Sequence, residues 1–381
     1  MPEPPIPYGR QWIDDDDVAA VVEVLRSDYL TTGPAVEGFE RSLVKAVGAR
    51  RAVAVNSGTS ALHSMYFACG IGPGDEVITT PLTFAATANA ALFLGAEVRF
   101  VDVLPDTGNI DPAAVDAAIG DRTRLVAAVD YMGHPADYDE LAAVSAARGV
   151  TLVADAAHSL GATYHDRRVG TLALASAFSF HPVKAITTAE GGAVVTDDDR
   201  LADRAARFRT HGITRDSLSL ERNDGPWHYE QHDLGFNYRL TDLQAALGTG
   251  QLRRLDDFIL RRRAIAARYL EAFADLEAIS LPHVRDFVEP AWHLFVVRVA
   301  DAARRRAFFE RLRELGLGVQ VHYIPVHHHP YYRELGFVPG SFPVAEDYSA
   351  RAVSLPIFPR MTDAEVDRVV SVVRSTVNAL L

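Results

Sequence analysis

Three short segments of the chain carry residue types that could do chemistry at a strand end. The first is Asn56-Ser57-Gly58-Thr59-Ser60, between an apolar run and a helical pattern. Small hydroxyl residues and a glycine at a helix start leave backbone N–H groups unpaired and let an anion come close. The segment is a phosphate cup or, since Ser and Thr are favoured there anyway, an ordinary helix cap. It has neither the Gly-Lys-Ser/Thr of a Walker loop nor a three-glycine dinucleotide fingerprint. The second is Asp155, directly after the apolar run 151–154. A carboxylate there can meet a cation, or simply cap the next turn. His158 lies three residues on, but nothing else nearby completes a metal coordination set. The third is Ser179-Phe180-His181-Pro182-Val183-Lys184, followed by Thr187-Thr188-Ala189-Glu190-Gly191-Gly192. A lysine between apolar residues and a glycine turn is poorly solvated, which favours the neutral amine that a Schiff base requires. The plain alternative is a lysine at the surface, where most lysines are.

An alternation of short apolar runs and helical patterns positions these segments. Residues 14–25 read as a helix with an acidic first turn, suited to the helix dipole; 28–33 read as a loop and 36–47 as a second helix. Strands are expected at 52–55, 76–79, 97–101, 125–129, 152–154, 175–180 and 192–196, with helices at 57–69, 84–94 and 138–148. Such alternation implies a mostly parallel sheet covered on both faces. Ligands collect at the carboxyl ends of the strands of such sheets, and there the segments fall. Residues 235–252 close this large unit. Beyond it a helix (255–276), a strand (294–299), a helix (302–315), a strand (319–323) and a helix (363–381) make a smaller α+β unit. The 381 residues thus divide into a large domain, 1–250, with an N-terminal arm (1–35) near the active site, and a small one, 251–381.

A phosphate cup, an aspartate for a pyridinium nitrogen and a lysine for an aldehyde, in this chain order, are the three handles of pyridoxal 5′-phosphate (PLP). The blocks around them are ITTPLTFAATAN at 78–89, DAAHSLG at 155–161, SAFSFHPVKAITTAEGGAVV at 176–195 and LGFNYRLTDLQAAL at 234–247. Over nearly its whole length the chain resembles the DegT/DnrJ/EryC1/StrS sugar aminotransferases. The resemblance implies an α/β architecture, fold type I of the PLP-dependent aminotransferases: a large domain with a mostly parallel seven-stranded sheet, plus a small C-terminal α+β domain. It implies that Lys184 carries the cofactor as a Schiff base and serves as the base for proton transfer, and that Asp155 keeps the pyridine nitrogen protonated. Phe84 stacks on the ring, and Ser57, Gly58, Thr59 and Ser179 hold the phosphate. Asn237 reaches the phosphate from a second subunit, so the resemblance implies a homodimer with a shared active site. His158, where many relatives have glutamine, lies near the ring hydroxyl. By the same resemblance Tyr8, Asp28, Tyr29, Leu30, Thr31, Gln320, Val321, His322 and Tyr323 line the sugar-nucleotide pocket.

The motifs DYMG at 130–133 and QVHY at 320–323 resemble a subgroup that makes UDP-4-amino-4,6-dideoxy-N-acetyl-β-L-altrosamine for pseudaminic acid biosynthesis. That implies transfer of an amino group from L-glutamate to C4 of a UDP-linked 4-keto-6-deoxy-2-acetamido sugar. The rivals are another nucleotide-sugar aminotransferase, of the 4-amino-arabinose, perosamine or bacillosamine type, and a non-catalytic binding protein on this fold. A sugar dehydratase of the same family carries histidine in place of the cofactor lysine, and Lys184 argues against it.

Composition sets outer bounds. A net charge of −12 argues against nucleic-acid and anionic-membrane partners. The start Met-Pro-Glu-Pro-Pro-Ile-Pro lacks the features of a signal peptide, and no apolar run could span a bilayer, so a cytoplasmic location is expected. The single cysteine, Cys69, reads as a buried core thiol. The run His327-His328-His329 tempts a metal reading. In an extended segment adjacent side chains diverge, so a polar rim near the substrate is expected there and no metal.

Overall fold

The computed structural model describes residues 4–380; positions 1–3 of the expected arm and Leu381 of the expected last helix lie outside the described residues. Helix α1 (Asp15–Leu25) starts with a capping box in which Asp14 accepts from the Asp17 amide and Asp17 returns a bond to the Asp14 amide. These bonds satisfy two amides that a helix start otherwise leaves bare. Helix α2 (Pro34–Val47) buries Val36, Phe39, Leu43 and Val47, a stripe at helical spacing. Phe39 meets Phe180 edge-on at 5.3 Å, which ties α2 to the lysine loop.

The expected alternation then follows. Strands β1 (Arg51–Val55), β2 (Glu76–Thr79), β3 (Glu97–Phe100), β4 (Thr123–Val129), β5 (Thr151–Asp155), β6 (Ala175–Ser179) and β7 (Gly192–Thr196) form one seven-stranded sheet, ordered β1-β7-β6-β5-β4-β2-β3. Only β7 runs against the rest. Helices α3 (Gly58–Ala68), α4 (Ala86–Leu92), α5 (Pro112–Ala118), α6 (Tyr138–Arg148) and α7 (Asp199–Phe208) connect or flank the strands, and α8 (Asp242–Arg253) packs on α1 and α2. Two apolar clusters sandwich the sheet: Phe39, Leu43, Val126, Phe178 and Phe180 belong to one, and Leu62, Met65, Tyr66, Leu125 and Val194 to the other. This is the mostly parallel, seven-stranded α/β sheet that the resemblance implies.

Helix α9 (Leu255–Phe273) spans two cores. Leu255 and Ile259 join the core of the large sheet, while Ile265, Ala266, Tyr269 and Phe273 join a separate cluster with Phe295, Val353 and Val369. That second cluster also holds Ile6, so the N-terminal arm leans on C-terminal elements. The small sheet is β8 (Ile279–Ser280), β9 (Phe295–Val299) and β10 (Ala352–Leu355), with β9 central. Helices α10 (Arg305–Glu314), α11 (Pro330–Glu334), α12 (Pro343–Arg351) and α13 (Asp363–Leu380) complete this part.

One expected strand does not form. Residues 319–323 make only a single bridge, Gln320 to Ser354, and the third strand is β10 instead. Past that bridge the segment carries His322 and Tyr323 to a cavity beside the large sheet. The helices α5, α7, α11 and α12 and several two-residue strands also lie outside the elements read from sequence. Among the described residues no helix is long and apolar enough to cross a membrane.

Candidate active site

A cavity of about 430 Å³ opens at the carboxyl ends of β4, β5 and β6. Its floor unites the three segments singled out from sequence: Ser57, Gly58 and Thr59, then Asp155, then Ser179 and Lys184.

The cup is built by α3. Ser57 caps the helix, its Oγ accepting from the Ser60 amide at 3.0 Å, and Asn56 Oδ1 accepts from Ser60 Oγ at 2.6 Å. The amides of Gly58 and Thr59, in the first turn, have no intrahelical acceptor. A Cβ on Gly58 would stand 2.8 Å from the Cβ of Ser179, so glycine is what lets the cup close on β6. Gly192 is needed as well, since a Cβ there would lie 2.3 Å from the Ser57 carbonyl oxygen.

Asp155 ends β5 and is buried. Thr87 Oγ1 donates to its Oδ2 at 2.6 Å, and the Ala157 amide donates to Oδ1 at 3.2 Å. Burial nevertheless holds the carboxyl above its ordinary range, although these bonds and the charge of Lys184 pull the other way. Such a group is completed by a cation. The Lys184 amine, half-buried across the cavity, is brought down to about 8 by burial, with Asp155 opposing the shift. An amine that gives up its proton near neutrality suits attack on a carbonyl.

His158 is buried. Its Nε2 is hydrogen-bonded to the Tyr323 hydroxyl at 2.9 Å, and its ring lies 4.3 Å from that of His293. Burial first, then the charges of Lys184 and His322, push its proton affinity far down, so this imidazole is neutral. Phe84 is 62% exposed inside the cavity, with its centroid 6.2 Å from that of Tyr323. A large apolar face left bare within a polar pocket is a place for a flat partner.

The donor set therefore fits PLP at each handle: unpaired amides and hydroxyls for a phosphate, a buried carboxylate seeking a protonated nitrogen, an amine of lowered proton affinity and a free aromatic face. Tyr8, His322 and Tyr323 line the same cavity. The other residues expected near substrate lie elsewhere in this chain. Asp28, Tyr29, Leu30 and Thr31 are exposed beside the start of α8, where the Asp242 amide donates to the Leu30 carbonyl at 3.0 Å. Tyr29 borders a second cavity, of about 400 Å³. Gln320 is held by backbone pairing to Ser354, and Val321 is not among the lining residues. Asn237 is exposed and does not line the cavity of its own chain; its carbonyl accepts from Asn56 Nδ2 at 3.4 Å.

The histidine run corrects the sequence reading twice. Residues 326–328 form a 3₁₀ turn rather than an extended segment, so His327 and His328 converge on Glu346, with Nε2 atoms 2.9 and 3.3 Å from its two oxygens. Glu346 also accepts from the amides of Gly340 and Phe342. The cluster, whose ligand atoms all lie within 4.8 Å of one another, is not part of the cavity lining, so it is no rim to the substrate. Cys69 is partly rather than fully buried, with a thiol pushed up to about 12 by desolvation.

Sequence reasoning gave no role to Thr83, Thr87, His181, Glu190 and His293, all in or against the site. Thr83 and Thr87 share a helical spacing of four and are hydrogen-bonded at 2.8 Å, a signal present in the block 78–89. His293 had none: a lone histidine before an apolar strand reads as core.

Comparison with known proteins agrees with this geometry. The sequence model of the DegT/DnrJ/EryC1/StrS aminotransferase family matches residues 11–374. The spore coat polysaccharide biosynthesis protein SpsC of Bacillus subtilis is 42% identical over 377 residues, covering 98% of this chain and 97% of the relative. Among solved structures, Helicobacter pylori PseC, an aminotransferase involved in the biosynthesis of pseudoaminic acid, superposes with a TM-score of 0.92 at 33% identity. It covers 98% of this chain and 100% of its own. The PLP form of Spr1654 from Streptococcus pneumoniae gives a TM-score of 0.92 at 30% identity, covering 99% of this chain and 100% of its own.

Proposed function

The chain belongs to the DegT/DnrJ/EryC1/StrS family of PLP-dependent sugar aminotransferases, and on that premise we propose that it moves an amino group from L-glutamate to the C4 carbonyl of a UDP-linked 4-keto-6-deoxy-2-acetamido sugar. One observation carries the reading: an amine brought down to about 8 lies across a cavity from a buried carboxylate, beside a helix start built for an anion.

When bound, PLP supplies an electron sink that lets the amino group pass from donor to acceptor. The protein's part follows from its own residues. Gly58 and Thr59 amides, with the hydroxyls of Ser57, Thr59 and Ser179, would hold the phosphate. The Asp155 carboxylate, steadied by Thr87, would keep a proton on the pyridine nitrogen. Phe84 would cover the ring, and neutral His158, held by Tyr323, would serve the ring hydroxyl as a hydrogen-bonding group rather than a charge. Lys184 Nζ is the amine that would hold the cofactor's aldehyde, by condensation with loss of water, and when free it is the group placed to take up and give back a proton.

Tyr8, His322 and Tyr323 border the space left for sugar. Among the described lining residues no arginine is present, and Lys184 is already engaged. A diphosphate-linked substrate therefore draws its cations from outside this lining. With Asn237 exposed and absent from the lining of its own cavity, that supports a homodimer in which a second copy, through Asn237 and its neighbours, completes the site.

The C5 configuration separates two readings. Likeness to PseC over the full chain supports an L-configured product of the pseudaminic type. The 42% identity to SpsC favours another nucleotide sugar, destined for a polysaccharide. The test is to incubate the protein with glutamate and UDP-4-keto sugars that differ at C5, and to identify amino-sugar products by mass spectrometry and NMR. Preference for the L-arabino-configured acceptor supports the first reading. Preference for a D-configured acceptor removes it and leaves the aminotransferase intact.

A further inference from the structure

Arg262, on α9, is 1% exposed, and among the described residues it forms no ion pair with a carboxylate. Its guanidinium is spread over carbonyl oxygens instead. Nη1 donates to Ile357 at 2.9 Å, Trp292 at 3.2 Å and His293 at 3.4 Å, and Nη2 donates to Val183 at 3.3 Å. Its Nε is buried without a partner. A buried charge without a counter-ion is costly, and an apolar residue of similar length would fill a core slot at lower cost. The residue is thus explained by what it holds.

The four carbonyls belong to three segments, of which Val183 and His293 line the cavity and Ile357 is bonded to a lining residue, Tyr8. Val183 precedes Lys184. Trp292, with φ of 50°, is in a left-handed conformation that a bulky residue rarely adopts, and it delivers His293 against His158. Ile357 donates its amide to the Tyr8 carbonyl at 3.1 Å, which ties in the N-terminal arm. Arg262 thus meets the lysine loop and the crossing into the small sheet directly, and the arm through Ile357.

We infer that Arg262 is a positioning residue, one planar fork that fixes Lys184 relative to His293 and Tyr8. The inference rests on the reading of Lys184 as the cofactor lysine. A lysine in its place keeps the charge but, as a compact ammonium with three donors, cannot span the four carbonyls.

The test compares wild type, Arg262→Lys, Arg262→Met and Lys184→Ala by circular dichroism, thermal midpoint, PLP affinity of the apoprotein and steady-state kinetics. Arg262→Lys is expected to fold, to bind PLP about tenfold more weakly, and to lose about tenfold in kcat, with KM for the keto-sugar within about twofold. Arg262→Met is expected to lose more of both. Should Arg262→Met fail to fold, Arg262→Lys decides alone. Folded variants that bind PLP as tightly as wild type and keep kcat within about twofold overturn the inference, whatever their thermal midpoints. If instead wild type binds no PLP, or Lys184→Ala binds and turns over as wild type does, the cofactor reading itself has failed.

Discussion

Cofactor capture by the apoprotein is a titration of Lys184. Its amine sits near 8, against 10.5 for an ordinary lysine. At pH 7.5 an ordinary lysine is neutral in about one molecule in a thousand, and Lys184 in about one in four, so the pool of reactive amine is roughly 200-fold larger. The sign follows from the cause. Burial penalises the ammonium and lowers the value, while the Asp155 carboxylate favours it and partly restores it. The rate of PLP capture, followed by stopped-flow absorbance, is therefore expected to rise about tenfold per pH unit up to roughly pH 7.5 and to level off above about 8.5. Asp155→Asn removes the opposing charge, so its plateau is expected at lower pH even though the cofactor is held less well. A wild-type rate that keeps climbing through pH 10 would refute the reasoning, because it would mean that Lys184 is solvated like a surface lysine.

Thr87→Val removes the hydroxyl that donates to Asp155 Oδ2; the carboxyl then rises further, and PLP affinity is expected to fall about tenfold by spectrophotometric titration, whereas unchanged affinity would deny Thr87 a part in the site. Gly58→Ala places a methyl 2.8 Å from the Ser179 Cβ, so phosphate and PLP binding are expected to weaken by more than about tenfold with the far-UV spectrum unchanged; equal affinity by isothermal titration calorimetry would show the cup has slack. Ala189 has a φ of 65° in the turn between Lys184 and β7, and Ala189→Gly is expected to stabilise the fold by about 0.5–1 kcal/mol, visible as a higher thermal midpoint; a lower midpoint would mean that no strain is stored there.

Much of the large sheet was legible because most strands are short, buried apolar runs between glycine or polar turns, the edge strand Glu97–Phe100 being the exception. The runs 76–79 and 192–196 form strands over those same residues. The site's floor was legible because Ser57 caps a helix, Asp155 ends a strand and Lys184 follows in the turn after one, where local sequence and topology coincide. The walls were not. His293 reaches the cavity through a left-handed Trp292 held by Arg262, an arrangement of long-range carbonyl contacts with no periodic trace. Residues 319–323 alternate like a strand, yet pair at a single bridge before carrying Tyr323 to His158. The histidine run misled because a 3₁₀ turn, not an extended backbone, sets where those rings point.

The central claim is that Lys184 carries the cofactor, and chemical fixation tests it most directly. Purified protein is treated with PLP, reduced with borohydride, digested and mapped by tandem mass spectrometry. The structure predicts one pyridoxyl adduct, on Lys184, that Lys184→Ala lacks; an adduct on another residue, or none on a coloured protein, would contradict it.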